Sequence, residues 1–183
     1  MKPNLSLWQL GGFSFTALSG TILHFLYDWT NQLVFVAPFS AINESTWEHM
    51  KLIYFPMVIF ALIQSRYFLE YKNFWCIKLC GILLGLVTIP VIFYTYNGVL
   101  GKSPDWVNIS IFFISAAITF LLEWRLLKIN TLLCKRLWLP FAIICLVGVL
   151  FIVFTFITPK IPLFYDPLTK WFFKGLFSKK LNS

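Results

Sequence analysis

Two carboxylates, an imidazole and an ammonium group stand close together at residues 43–51, in the sequence NESTWEHMK. The only other histidine of the chain is His24, followed four residues later by Asp28. Imidazoles and carboxylates are common general acids and bases, and they are also ligands of Zn²⁺. Each of these groups costs free energy near hydrocarbon unless it is paired. The pattern therefore indicates a polar site with acid–base or metal chemistry.

The candidate site residues fall into three groups. The catalytic candidates are His24, Glu48 and His49, whose groups suit proton transfer. The substrate-binding candidates are Asn43, Glu44, Trp47, Lys51, Asp105 and Asp166. The candidate ligands of a divalent metal such as Zn²⁺ are His24, Asp28, Glu44, Glu48 and His49. Their spacing matches no recognised zinc signature, so metal binding and metal-free acid–base chemistry both stay open.

Part of this block also has a purely structural interpretation. Ser45 followed three residues later by Glu48 matches a capping box directly before an apolar run. Lys51 is explained by pairing with Glu48 or by extending to the membrane interface. Neither interpretation accounts for Glu44 and His49, which strengthens the functional hypothesis for those two residues.

His24 belongs to a stripe on one helix face. Gly12, Thr16, Gly20, His24 and Asp28 recur at every fourth residue, so they lie along one slowly drifting side. Small residues at this spacing let a second helix approach closely. The same face would then deliver the imidazole to the interior of a bundle. The alternative is that the imidazole only hydrogen-bonds a backbone carbonyl.

Three other acidic residues have ordinary explanations. Asp105 follows Ser103 and Pro104 at a helix start, where a carboxylate complements the helix dipole. Asp166 is more simply a helix cap than a member of the polar cluster. Glu123 is interpreted as part of a surface ion pair with the basic residues that follow it.

Composition defines the class of protein. The 183 residues are 59% hydrophobic and 12% charged, with a mean hydropathy of +0.79, outside the range of soluble domains. A helix that crosses the hydrocarbon core needs about 20 apolar residues. Five segments qualify, at residues 7–28, 45–66, 74–97, 105–127 and 136–158. We therefore predict an all-α transmembrane bundle in a single domain, 1–183, whose tail at residues 159–183 is interfacial and forms a short amphipathic helix from Leu168.

Basic residues predict the orientation of the bundle. Arg66 and Lys72 follow span two, and four basic residues lie between spans four and five, whereas the loop at residues 29–44 has none. The positive-inside rule then places the N-terminus in the cytoplasm of a cell-membrane protein, although the lysine-rich tail conflicts with this. Counting the helical rise from each span's cytoplasmic end places His24 and His49 at one level, roughly 26 Å away. The four cysteines are interpreted as packing thiols rather than a disulfide framework.

Three stretches carry a resemblance to a known family: GTILHFLYDWT, NESTWEHMK and IPLFYDP. They resemble a family of small bacterial integral membrane proteins of unknown function with an N-E-S-x-W-E-H motif. The resemblance implies that His24, the block at residues 43–51 and Asp166 belong together. After Asp166 the chain departs from the family's usual Thr-Gly-x-Tyr-Gly type ending. The resemblance implies no activity.

Three functions are open at this point. The first is an intramembrane enzyme acting on a lipid or lipid-linked substrate, with or without metal. The second is a transporter or channel component in which Asp28, Glu44 and Glu48 form a cation site. The third is an accessory or scaffold subunit. The net charge of +8 fits contact with anionic membrane lipids, and nothing in the chain resembles a nucleic-acid module. A homo-oligomer or a membrane-protein partner is compatible with all three functions.

Overall fold

The computed structural model describes residues 4–101, 104–129, 134–166 and 171–172. In these residues the chain forms five α-helices: α1 (Leu5–Trp29), α2 (Thr46–Ser65), α3 (Phe74–Leu100), α4 (Asp105–Ile129) and α5 (Leu139–Phe156). A short 3-10 helix (Pro162–Phe164) leads into two paired antiparallel strands, β1 (Tyr165–Asp166) and β2 (Trp171–Phe172). The predicted all-α bundle is confirmed. However, Trp171–Phe172 is extended rather than helical, and the rest of the predicted interfacial helix lies outside the described residues.

The small-residue stripe of α1 is where this helix meets α2 and α4. A Cβ atom added at Gly12 would lie 2.5 Å from a ring atom of Phe120 and 2.7 Å from one of Phe60. A Cβ atom added at Gly20 would lie 2.7 Å from the backbone oxygen of Leu52. From Gly12 to Gly20 the residue numbers increase along α1, while those of the contacted residues on α2 decrease. The two helices therefore run antiparallel. The predicted close packing along this stripe is confirmed.

A second pair of glycines joins α3 to α4. A Cβ atom added at Gly81 would lie 2.5 Å from Glu123, and one at Gly85 would lie 2.7 Å from the Thr119 hydroxyl. That hydroxyl donates a hydrogen bond of 3.2 Å to the Gly81 carbonyl. Small residues four apart let the two helices approach closely, as is common in membrane bundles. The order of the contacts shows that α3 and α4 are also antiparallel.

The fifth helix is held against α2 by aromatic packing. The indole of Trp47 packs on Phe151 of α5 and on Phe164 of the 3-10 helix, with ring centroids 4.5 and 4.6 Å apart. The hydroxyl of Tyr54 donates a 2.5 Å hydrogen bond to the Ile144 carbonyl. These contacts fix the end of α2 that carries the NESTWEHMK block.

Three of the helices are long and apolar enough to cross a membrane, over Phe74–Leu100, Trp106–Ile129 and Leu139–Phe156. They are the third, fourth and fifth of the predicted spans. The helices α1 and α2 are 25 and 20 residues long, but their polar residues keep them out of this set. That α1 and α2 also span the membrane stays a prediction.

The interpretation of all four cysteines as packing thiols is wrong, because Cys76 of α3 forms a disulfide with Cys134 in the α4–α5 connection. The two Cα atoms are 6.3 Å apart. Both cysteines lie at the end of the bundle that carries Arg66 and Lys72. The orientation that the basic residues predict stays a prediction.

Candidate functional site

Three side chains from separate elements meet at one end of the bundle. The Glu44 carboxylate lies between two imidazoles, with Oε1 3.7 Å from His24 Nε2 and Oε2 3.5 Å from His49 Nε2. The two ring centroids are 5.5 Å apart, which confirms that the histidines reach the same level. The side chains are 27% exposed for His24, 37% for Glu44 and 19% for His49, so solvent or a ligand has access. We call this group the histidine–glutamate triad.

The start of α2 determines which nitrogen of His49 is available. His49 Nδ1 lies 3.0 Å from the Ser45 carbonyl oxygen, and a carbonyl oxygen only accepts, so Nδ1 donates this hydrogen bond. In the neutral ring Nε2 therefore carries the lone pair, and it faces Glu44. Asn43 Oδ1 accepts a 2.8 Å hydrogen bond from Ser45 N–H and shapes the turn. The Ser45 side chain makes no cap hydrogen bond, so the predicted capping box with Glu48 is wrong.

A loop serine fixes the α1 side of the triad. The Ser40 hydroxyl accepts a 3.0 Å hydrogen bond from Tyr27 N–H and donates one to the Leu23 carbonyl. In a regular α-helix these two backbone groups bond to each other, so the hydroxyl is inserted into the turn that contains His24. This contact fastens the α1–α2 loop, which carries Glu44, to α1. The sequence offers no local signal for this role of a loop serine.

Glu48 and Lys51 form a buried unit beside the triad. Lys51 Nζ is 2.6 Å from Glu48 Oε2, as one of the sequence interpretations predicted. The same ammonium donates hydrogen bonds of 2.9 Å to the Ala37 carbonyl and 3.1 Å to the Thr155 hydroxyl. Glu48 Oε2 also accepts a 3.0 Å hydrogen bond from Ile42 N–H. These contacts connect the ion pair on α2 to the α1–α2 loop and to α5. The pair therefore holds the loop and α5 against α2.

A shallow groove opens at the triad and runs between α3 and α4. Its cavity volume is about 20 Å³, which is room for about one water molecule, and it is open to solvent. Its polar end is formed by Glu44, Thr46, His49 and Asn108. Its apolar walls are formed by Ile89, Phe93, Ile111 and Phe112. The groove is therefore amphipathic, with ionisable groups at one end and aliphatic and aromatic side chains along the rest.

Other predicted site residues lie elsewhere. Asp28 is exposed one turn beyond His24. Trp47 is buried against aromatic rings of α5 and is a packing residue in the described structure. Asp166 is buried in β1, where it pairs with Trp171 in the strand register. Asp105 begins α4, but its side chain lies outside the described residues.

The metal hypothesis stays a prediction. Among the residues that the structure describes, no group of three or more His, Cys, Asp or Glu side chains is arranged to hold a metal ion. Nε2 of neutral His49 and the Glu44 carboxylate are both acceptors at 3.5 Å, so a proton or a cation between them would stabilise the contact. Whether a proton or a cation lies there, the chemistry involves His49 Nε2 and the Glu44 carboxylate.

The interpretation of Glu123 as part of a surface ion pair is wrong. Its carboxylate is buried between α3 and α4, and Oε2 is 2.5 Å from Lys78 Nζ, which is buried as well. The sequence signal for this pair was present, since each residue is a charge inside a predicted span and such charges seek a partner. Because the two residues are far apart along the chain, no local pattern indicated that they pair with each other.

The fold and the triad define a class of protein: a helical bundle with three span-like helices and a cluster of two histidines and a glutamate at one end. The chain belongs to a family of unknown function (DUF6512), whose profile matches residues 1–173. The resemblance to a family of unknown function is thereby confirmed. No curated protein and no solved structure matches the chain. Its function must therefore be argued from the site itself.

Proposed function

We propose that the protein is a membrane-embedded hydrolase that acts on a lipid or lipid-linked ester and uses the histidine–glutamate triad for proton transfer. The observation that carries the proposal is the arrangement of two imidazole Nε2 atoms on the two oxygens of one carboxylate. A carboxylate so placed orients both rings and stabilises an imidazolium.

The roles follow from the hydrogen bonds. His49 Nε2 has the free lone pair, because Nδ1 donates to the Ser45 carbonyl. It removes a proton from a water molecule while the water oxygen forms a bond to the ester carbonyl carbon. The same Nε2 then gives this proton to the leaving alcohol oxygen as the ester bond breaks, and the acyl group leaves as the carboxylic acid. Glu44 stays ionised and stabilises the transient imidazolium of His49, while His24 contacts its other oxygen and fixes its orientation. Glu48 becomes a positioning residue, since its carboxylate is occupied by Lys51.

The groove supports an amphiphilic substrate. Its polar end is the triad, where a head group or ester linkage would lie. Its apolar side includes Phe93 and Ile111, against which the part of an acyl or prenyl chain next to the ester would pack. The flanking helices α3 and α4 are both apolar enough to span a membrane, so a lipid could enter the groove from the bilayer.

Isotope incorporation tests the proposal for every ester among the lipids supplied, whichever of them is the substrate. The purified protein is reconstituted in vesicles of phosphatidylethanolamine, phosphatidylglycerol and cardiolipin in H₂¹⁸O, and the lipids are followed by mass spectrometry. Hydrolysis incorporates ¹⁸O into a product, and we expect Glu44→Gln and His49→Asn to reduce the rate by about 100-fold or more. The matched control is Glu70→Gln, an exposed glutamate outside the site, which should leave the rate unchanged. No labelled product, or equal rates in all variants, would contradict the proposal.

A further inference from the structure

A second polar cluster lies at the opposite end of the bundle, around Lys78 and Glu123. Their charged groups are 2.5 Å apart and both side chains are buried. The Lys78 ammonium also lies 6.0, 5.5 and 5.7 Å from the ring centroids of Phe60, Phe74 and Phe120. The ion pair is therefore enclosed by side chains of α2, α3 and α4, away from the histidine–glutamate triad.

Two glutamines reach the same layer of the bundle. Gln9 lies three residues before Gly12 on α1, and Gln64 lies four residues after Phe60 on α2. Gly12 is in close contact with Phe60 and with the α4 phenylalanine that precedes Glu123 by three residues. Because α1 runs antiparallel to α2 and α4, Gln9, Gln64 and Glu123 are all displaced from this contact toward the same end of the bundle, by about 4.5–6 Å. Both glutamines are buried, and helical geometry places them in the interior of the bundle at about the level of Glu123.

The polar atoms of this layer are only partly satisfied. Both amide atoms of Gln9, both amide atoms of Gln64 and Oε1 of Glu123 are buried without a hydrogen-bond partner among the described residues. Buried polar groups are almost always paired, either with protein atoms or with ordered water. Water both donates and accepts, which the mixture of amide N–H, amide oxygen and carboxylate oxygen requires. The charges of Lys78 and Glu123 balance, so a neutral occupant suits the layer better than an ion.

We infer that Gln9, Gln64, Lys78 and Glu123 form an internal water-binding site. A buried water molecule makes about three hydrogen bonds, so about two molecules satisfy the unpartnered atoms. These molecules connect the ion pair to both amides and thereby link α1 and α2 to α3 and α4. The site is independent of the proposed hydrolysis, since it shares no residue with the triad.

Labelling of glutamine side chains gives a direct test, because glutamine occurs only at positions 9, 32 and 64. The protein is labelled with ¹⁵N in the glutamine amides, reconstituted in lipid, and studied by NMR with magnetisation transfer from water. Gln32 is exposed and reports contact with bulk water. We expect Gln9 and Gln64 to receive magnetisation at short mixing times in spite of their burial. The wild-type spectrum decides this point, whether or not any variant folds.

Variants then test whether Gln9 and Gln64 contact the same water molecules. Gln64→Leu should reduce the transfer from water to Gln9, because the two amides contact the same water molecules. The double variant Lys78→Met with Glu123→Met removes the charged centre without leaving an unpaired charge, and it should reduce the transfer to both glutamines. Transfer to Gln32 alone in the wild-type protein would overturn the inference and show a dry layer. Full transfer to Gln9 in Gln64→Leu would show separate contacts and would overturn the shared site.

Discussion

Replacement of Lys51 by methionine tests whether the Glu48–Lys51 pair holds the site together or takes part in its chemistry. Methionine keeps most of the apolar length of the side chain but removes the ammonium. Three contacts are lost together: the ion pair at 2.6 Å and the hydrogen bonds of 2.9 and 3.1 Å to Ala37 and Thr155. Glu48 is left with the hydrogen bond from Ile42 N–H.

The magnitude follows from burial. The Lys51 and Glu48 side chains are 0% and 4% exposed, so solvent does not replace the lost partner. Removal of one member of a buried ion pair costs about 3–5 kcal/mol. We therefore expect Lys51→Met to lower the free energy of unfolding by about 3–5 kcal/mol. Adding Glu48→Gln should restore part of this loss, because the unpaired charge is then gone.

The assay is an unfolding titration in mixed micelles, followed by circular dichroism. The matched control is Lys72→Met, a lysine exposed to solvent between α2 and α3, which should change stability by less than about 0.5 kcal/mol. A double-mutant cycle with Glu48→Gln measures the coupling of the pair. Equal stabilities of Lys51→Met and Lys72→Met, or no coupling in the cycle, would refute the structural role of the pair.

Three further predictions follow from the packing. Gly20→Ala should lower the free energy of unfolding by about 1–3 kcal/mol because a backbone oxygen blocks the added methyl group, whereas Gly11→Ala meets open space and should be neutral or stabilising by up to about 1 kcal/mol. Equal effects in the titration would contradict the helix contact. Ser40→Ala should cost about 1–3 kcal/mol in the same assay, and no change would mean that the inserted hydroxyl is unimportant. After purification without reductant, Cys76 and Cys134 should resist alkylation until dithiothreitol is added, as read by peptide mass spectrometry. Alkylation of both beforehand would exclude the disulfide.

Regular helix geometry made part of the site predictable. The rise of about 1.5 Å per residue is the same in every α-helix, so counting along α1 and α2 placed His24 and His49 at one level. The structure confirms this, with ring centroids 5.5 Å apart. The four-residue spacing of Gly12, Thr16 and Gly20 predicted a close helix contact for the same reason, since residues four apart share one face.

Tertiary contacts account for what the sequence could not predict. Ser45 and Glu48 fit a local capping pattern, but the Glu48 carboxylate accepts a hydrogen bond from Ile42 N–H of the preceding loop, and its partner Lys51 reaches Thr155 of α5. Lys78 and Glu123 are 45 residues apart, and their pairing depends on the packing of α3 against α4. A local sequence pattern carries no information on partners from other parts of the chain. For this reason the capping box was predicted wrongly and the Lys78–Glu123 pair was not predicted.

The central claim is that one carboxylate orients both imidazoles. Because the chain has two histidines, ¹⁵N-histidine labelling of the protein in lipid gives a spectrum of only two rings. We predict that neutral His49 is protonated at Nδ1, and that Glu44→Gln shifts the Nε2 resonances of both rings while Glu70→Gln shifts neither. Protonation of neutral His49 at Nε2, or a response to Glu44→Gln by one ring alone, would contradict the triad.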